Sequence, residues 1–150
     1  MPATQTPPIA SQTLLADRFI STAIDRRTLV FPAVWVAEIL RIDRVQILDL
    51  PFYDSVLMGI IHHNGAIIPL VAGTRLLNIE QFGARERAVV VKLNESAGSL
   101  ANIGIVVDRA IGTSNRADLP PDLFTTTATD GTMLMMRPDL IPPGLWQPRI

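Results

Sequence analysis

The residues with the most chemical reach in this chain are His62 and His63, an adjacent pair inside an otherwise apolar stretch. Metal ligands on a strand must share a face, at i and i+2, whereas neighbours point to opposite faces. No third histidine or carboxylate lies close in sequence, and tetrahedral or octahedral sites need more ligands than two. The pair therefore predicts no metal site. It predicts one imidazole turned inward and hydrogen-bonded, with the other exposed. Asp108 follows an apolar run, a position where catalytic carboxylates often sit. Catalysis by paired carboxylates needs a second one across the site, and none is singled out, so turn or cap duty is expected. Ser96, Ser99 and Ser114 lack the strand-turn-helix setting of an activated nucleophile. Gly98, Gly104 and Gly112 do not form a phosphate-cradling loop followed by a helix. The expectation is a protein with no catalytic residues, no cofactor and no metal.

The stretch that must position most of these groups runs from Val56 to Leu77. It reads as two apolar strands joined at Asn64-Gly65, a pair suited to a type I′ turn because both central residues need φ > 0. Gly59 and Pro69 punctuate the arms, as a bulge or close approach and as a place needing no ladder donor. Ile60-Ile61 and Ile67-Ile68 are adjacent apolar pairs, so both faces of the hairpin are expected to meet protein.

Around this hairpin the chain alternates short strands and turns. Residues 1–17 read as a flexible tail rich in Pro, Thr and Ser. Arg18–Ile24 and Thr28–Phe31 form a first hairpin about Asp25-Arg26-Arg27. Pro32 to Arg41 predicts a short helix, with Val36, Ile39 and Leu40 at i, i+3 and i+4. Val45–Leu50 reads as a linker or short strand, Pro51–Asp54 as a turn with aromatic anchors, and Asn78–Arg87 as polar loop. Ala88–Leu93 and Asn102–Val107 are expected to pair as buried strands across the loop Asn94–Gly98. Asp108–Gly112 leads out of the second of them. Leu123–Thr129 is a possible strand, followed by a turn at Asp130-Gly131 and a strand over Thr132–Met136. A helical turn fits Pro138–Leu145, and residues 142–150 form a Pro-rich tail. Short strands separated by regular turn signals, with no βαβ rhythm, predict an all-β barrel or pair of barrels.

Bulk properties narrow the function. The 150 residues are 48% hydrophobic with mean hydropathy +0.31, an excess that predicts either a second core or exposed apolar surface for a partner. Net charge is −1, with 13 basic and 14 acidic residues. Without a basic face, nucleic acid is not the expected partner. The absence of cysteine removes disulfides and thiolate chemistry. The N-terminus lacks the basic n-region and apolar core of a secretory signal. Ser55–Thr74 carries no charge and is long enough to span a bilayer. His62, His63, Asn64, Gly65 and Pro69 break its centre, which predicts a hairpin and no membrane insertion.

The order of short motifs resembles the CheW-like family. These are VAEILR (36–41), Pro51, GIIHHNGAIIPLV (59–71), RLL (75–77), VVVKL (89–93), GIVVDRAIG (104–112) and DGTMLMMRPDLI (130–141). The resemblance spans about Phe19 to Ile141, within a domain placed at 18–141. It implies two small five-stranded SH3-like barrels on a shared core, and a cytoplasmic adaptor rather than an enzyme. Such an adaptor links the cytoplasmic tip of a methyl-accepting receptor to the regulatory domain of a CheA-type histidine kinase, in chemotaxis, pilus motility or phototaxis-like signalling. Self-association is a further expectation. Val36, Glu38 and Ile39 match the family's receptor-facing VxEI segment, Gly59 the glycine opening its GxxNxRG motif, and Ile105, Val107 and Asp108 its GxxVD segment. Asn64, placed with the partner-binding residues, stands where the family usually has Arg, and Ala72 where it usually has Asp. These two lost charges leave a second reading open, a CheW-fold interaction or self-assembly module outside receptor–kinase signalling.

Overall fold

The structure, a computed structural model, describes residues 16–80 and 86–149. The N-terminal stretch read as a tail lies outside the described residues as far as residue 15. Two sheets make up the chain. The first has the order β8-β1-β2-β9 and is built from β1 (Arg18–Ile24), β2 (Arg27–Pro32), β8 (Arg109–Asn115) and β9 (Met133–Met135). The second has the order β3-β6-β7-β5-β4. Its strands are β3 (Val36–Asp43), β4 (Leu57–His63), β5 (Ala66–Ala72), β6 (Arg87–Leu93) and β7 (Gly104–Val107). The fold is the expected all-β, SH3-like one. The first sheet holds four strands among the described residues, where the family pattern implied five.

The central hairpin forms as its sequence dictates. Asn64 and Gly65 have φ of 48° and 78°, the two positive values a type I′ turn requires. β4 and β5 pair from His63↔Ala66 back to Leu57↔Val71, with a bulge between Leu57 and Gly59. Pro69 precedes Leu70–Ala72, the residues on which β7 pairs, so that ladder begins just after the residue without an N–H. The second sheet then closes on itself. Beyond β3 the chain turns through a 3-10 turn at Arg44–Gln46, and Leu48 and Ile60 exchange both backbone hydrogen bonds at 2.9 Å. The edge strand β4 thereby meets the continuation of the opposite edge strand, β3.

Three apolar clusters follow from this arrangement. Leu40, Ile42, Ile61, Ile68, Leu70, Ala88 and Val90 fill the second barrel. Phe19, Val30, Leu119 and Leu123 cluster on the first sheet, which is open among the described residues. Phe124 packs against that cluster, its ring edge-on to Phe19 at 5.2 Å. The largest cluster lies between the sheets, where Ile24, Leu29 and Phe31 meet Leu57, Val71, Val91, Leu93 and Ile105. Leu145 belongs to it with no exposed surface, although it comes from the Pro-rich end. Arg149 holds that end in place through a 2.8 Å contact to the Asp54 carboxylate.

Three expectations need correction. Pro32–Arg41 is not a helix but a 3-10 turn (Ala33–Trp35) running into β3. Pairing with β6 decides this, since Leu40 faces Val90 and Ile42 faces Ala88 across the ladder. The helical element is instead the single turn α1 (Gly73–Leu76), after β5. Leu123–Thr129 is not a strand, because two arginines take the carbonyls a ladder would use. Arg137 donates to Thr126 and Thr127, and Arg27 to Thr129, Gly131 and Leu77. Finally, Asp108–Gly112 leads into β8, a strand paired along β1.

Candidate partner-binding surface

β3 begins at one end of the second barrel, and the β4–β5 turn caps the same end. There Glu38 Oε1 lies 3.2 Å from His63 Nε2, which also lies 3.2 Å from the amide nitrogen of Asn64. His63 is half-buried and His62 exposed, the split expected of an adjacent pair on a strand. The contact brings Glu38, Ile39 and Asn64 into one patch. Ile39 is 40% exposed on the outer parity of β3, and Ile67, on the outer face of the hairpin, is 65% exposed. Val36 is half-buried and packs against the central cluster.

The other nominated residues do not join this patch. Ile105 and Val107 lie in the central cluster, 0% and 4% exposed, and their surface is spent on packing the two sheets together. Gly59 sits at the Leu48–Ile60 closure, also buried. Asp108 is half-buried on the far side of the β7–β8 junction. Its Oδ2 accepts the Asp25 N–H at 2.6 Å, and its own N–H donates to Ala23 at 2.9 Å. Asp25 has φ 55°, so the carboxylate supports a strained turn, the cap duty read from sequence.

Sequence reasoning passed over a second surface. Val45, Leu48 and Phe52 are 92%, 62% and 71% exposed on the segment after β3. Phe52 adopts φ 71°, uncommon for a bulky residue. Beside it runs an open groove of about 860 Å³, bounded by Leu50, Phe52, Tyr53, α1 and the end of β7. Its walls mix apolar side chains with Arg44, Arg75, Arg87, Asp49 and Glu80. Exposed apolar groups rimmed by charge suit recognition of another surface. The sequence signals for this patch were the excess of apolar residues and the aromatic turn Pro51–Asp54.

A model of the CheW-like domain matches residues 18–125. The chain belongs to the CheW-like domain family. Among solved structures it is similar to the crystal structure of the scaffolding protein TtCheW from Thermoanaerobacter tengcongensis, with a TM-score of 0.58. The two share 16% identity over 88% of this chain and 93% of that one, a likeness of fold. No curated protein matches the sequence. Within this CheW-like chain no helix among the described residues is long and apolar enough to cross a membrane.

The CheW-like frame gives Ala72 a meaning. It occupies the N-cap of α1 with φ −75° and ψ 113°, the extended geometry of a cap, yet offers no side-chain acceptor. The carboxylate that the family usually carries there would accept an N–H of the first turn. Ala72→Ser restores an acceptor with little added volume. It should stabilise the fold by roughly 1 kcal/mol, the ordinary worth of such a cap, read as a higher thermal midpoint. An unchanged midpoint would mean that the first turn is satisfied by water.

Proposed function

We propose that this chain is a non-enzymatic, cytoplasmic adaptor that couples a receptor to a CheA-type histidine kinase. The observation that carries the reading is its membership of the CheW-like family over residues 18–125. The exposed apolar groups Ile39, Ile67, Val45, Leu48 and Phe52 support it, since docking through a few central residues supplies most interface affinity. The patch of Glu38, Ile39 and Asn64 is the assigned partner surface. Val36 supports it from beneath, and Gly59, Ile105, Val107 and Asp108 hold the frame that presents it. A helical receptor segment fits such a surface through its apolar face.

The test is binding in solution to the regulatory domain of a CheA-type kinase from the same organism. Micromolar or tighter association is expected. Ile39→Asp should weaken it at least about tenfold, some 1.4 kcal/mol, with unchanged circular dichroism. Ile39 is the better probe than Val36, whose packing on the core would confound folding with binding. Asn64 and Ala72, in place of the family's Arg and Asp, favour a second reading, a CheW-fold module that has changed partners. A folded protein that binds no kinase would establish that reading over the first.

A further inference from the structure

Among the described residues, the side-chain-bearing ones at positive φ are Asp25, Phe52, Asn64, Asn78 and Asn102. Aspartate and asparagine tolerate that region because a short polar side chain can bond locally. Phe52, at φ 71°, is the exception. A proline followed by a positive-φ residue, as in Pro51-Phe52, is the order of a type II turn, whose second central place usually goes to glycine or asparagine. Burial does not hold the ring there either, since it is 71% exposed. Backbone strain of this kind persists only where the surroundings over-determine it.

The restraint comes from residues 142–149. Arg149 bonds the turn on both sides of Tyr53. Its N–H donates to the Phe52 carbonyl, and its guanidinium donates to Asp54 Oδ2 at 2.8 Å. Asp54 passes the restraint on to the start of β4. Its Oδ1 accepts the Val56 N–H and its carbonyl accepts the Leu57 N–H, each at 2.9 Å. The Arg149 side chain is 70% exposed and that of Asp54 18%. A pair so open to water on one side is a weak clasp. A weak clasp set against a strained turn leaves the two close to balance.

We propose that residues 142–149 form a releasable strap, in which Arg149 keeps Phe52 left-handed and so sets one wall of the adjoining groove. With the strap in place, Phe52 stands beside Leu50, Tyr53 and α1 at the groove's edge. With Arg149 released, φ of Phe52 returns to the negative region that bulky residues prefer, the ring swings, and that wall changes shape. Leu145 is buried between the sheets and anchors the strap in both states, so release is local. The device stands whichever partner the surface takes.

Hydrogen exchange of the full chain tests the strap. Arg149→Pro removes both contacts at once, since proline has neither the backbone N–H nor the charge. It should speed exchange of the Val56 and Leu57 N–H groups by about tenfold, the order expected for losing one exposed pair and one hydrogen bond. The Leu93 and Met136 N–H groups, which donate to Ile103 and Val30 elsewhere in the fold, should keep their native rates. Phe52→Asn supplies the second arm, because asparagine accepts φ > 0. In that background Arg149→Pro should leave Val56 and Leu57 at the rates of Phe52→Asn alone, there being no strain left to restrain. Unchanged exchange in Arg149→Pro overturns the proposal, because the turn then holds itself. Acceleration shared by Leu93 and Met136 does so too, since Arg149 would then add only general stability. The same holds for an equal acceleration in the Phe52→Asn background, which would mean that Arg149 does not act on Phe52.

Discussion

Replacing Gly59 with alanine should cost roughly 3 kcal/mol or more, lowering the urea midpoint far more than any other single-methyl addition in the same hairpin. Two penalties coincide at this position. A Cβ there would come 2.4 Å from the Leu48 carbonyl oxygen and 2.8 Å from the Ile47 side chain, where the barrel closes. The oxygen is backbone and is itself held by the 2.9 Å bond from Ile60, so it cannot swing aside. Gly59 also has φ 154°, which side-chain-bearing residues rarely adopt. Overpacking costs about 1–3 kcal/mol and backbone strain a similar amount. Gly65→Ala is the control. Its φ is also positive, at 78°, but nothing lies within 4 Å of a Cβ there, so only the conformational penalty of about 1 kcal/mol applies. Equal losses at the two glycines would show that closure at Leu48 contributes little. A Gly59 change that spared stability but abolished partner binding would return this glycine to the surface role its motif suggested.

Leu145→Ala should destabilise the fold by about 2–5 kcal/mol, a large part of the usual 5–15 kcal/mol of a domain. Leu145 is fully buried in the cluster between the sheets, beside residues of both. Truncation there removes the transfer energy of three carbons and leaves a cavity whose walls belong to different sheets and cannot collapse together. Chemical denaturation reads the effect. Trp146→Ala next to it should change little, since that ring is 43% exposed. An unchanged midpoint for Leu145→Ala would mean that residues 142–149 leave the core in solution.

The contrast between these two sites marks how far the sequence could be read. The hairpin from β4 to β5 was legible because its turn needs φ > 0 twice and Asn-Gly is the pair that tolerates it. Its doubled apolar residues misled, since Ile61 and Ile68 enter the barrel but Ile67 is 65% exposed and Ile60 only half-buried, and it is Leu57 and Val71 that enter the central cluster. β3 was misread as a helix because Val36, Ile39 and Leu40 satisfy a period of 3.6, and a short apolar run fits either period. Carrying the pattern to Ile42 would have exposed the alternation of Leu40 and Ile42 inward with Ile39 and Arg41 outward. β8 gave no signal, because a strand exposed on both faces has no apolar period. Leu145 gave none either, since one leucine among prolines has no pattern, and its burial comes from the cluster between the sheets, which forms only in the folded chain. Of the proposed partner surface, the VxEI segment was visible in the sequence as a motif. Its meeting with His63 was not, because that contact spans the closed barrel.

The order of strands has a consequence for how the protein is made. The second sheet is contained within residues 36–107, while the first draws β1 and β2 from the beginning of the chain and β8 and β9 from beyond it. A ribosome therefore makes every strand of the second sheet before it makes Arg109, the first residue of β8. Until then the β1–β2 hairpin has neither neighbour, and Ile24, Leu29 and Phe31 can be covered only by the second sheet. The contiguous sheet can thus form from one unbroken stretch of chain, whereas the split sheet needs both ends of it, and the longer loop closure disfavours forming the split sheet first.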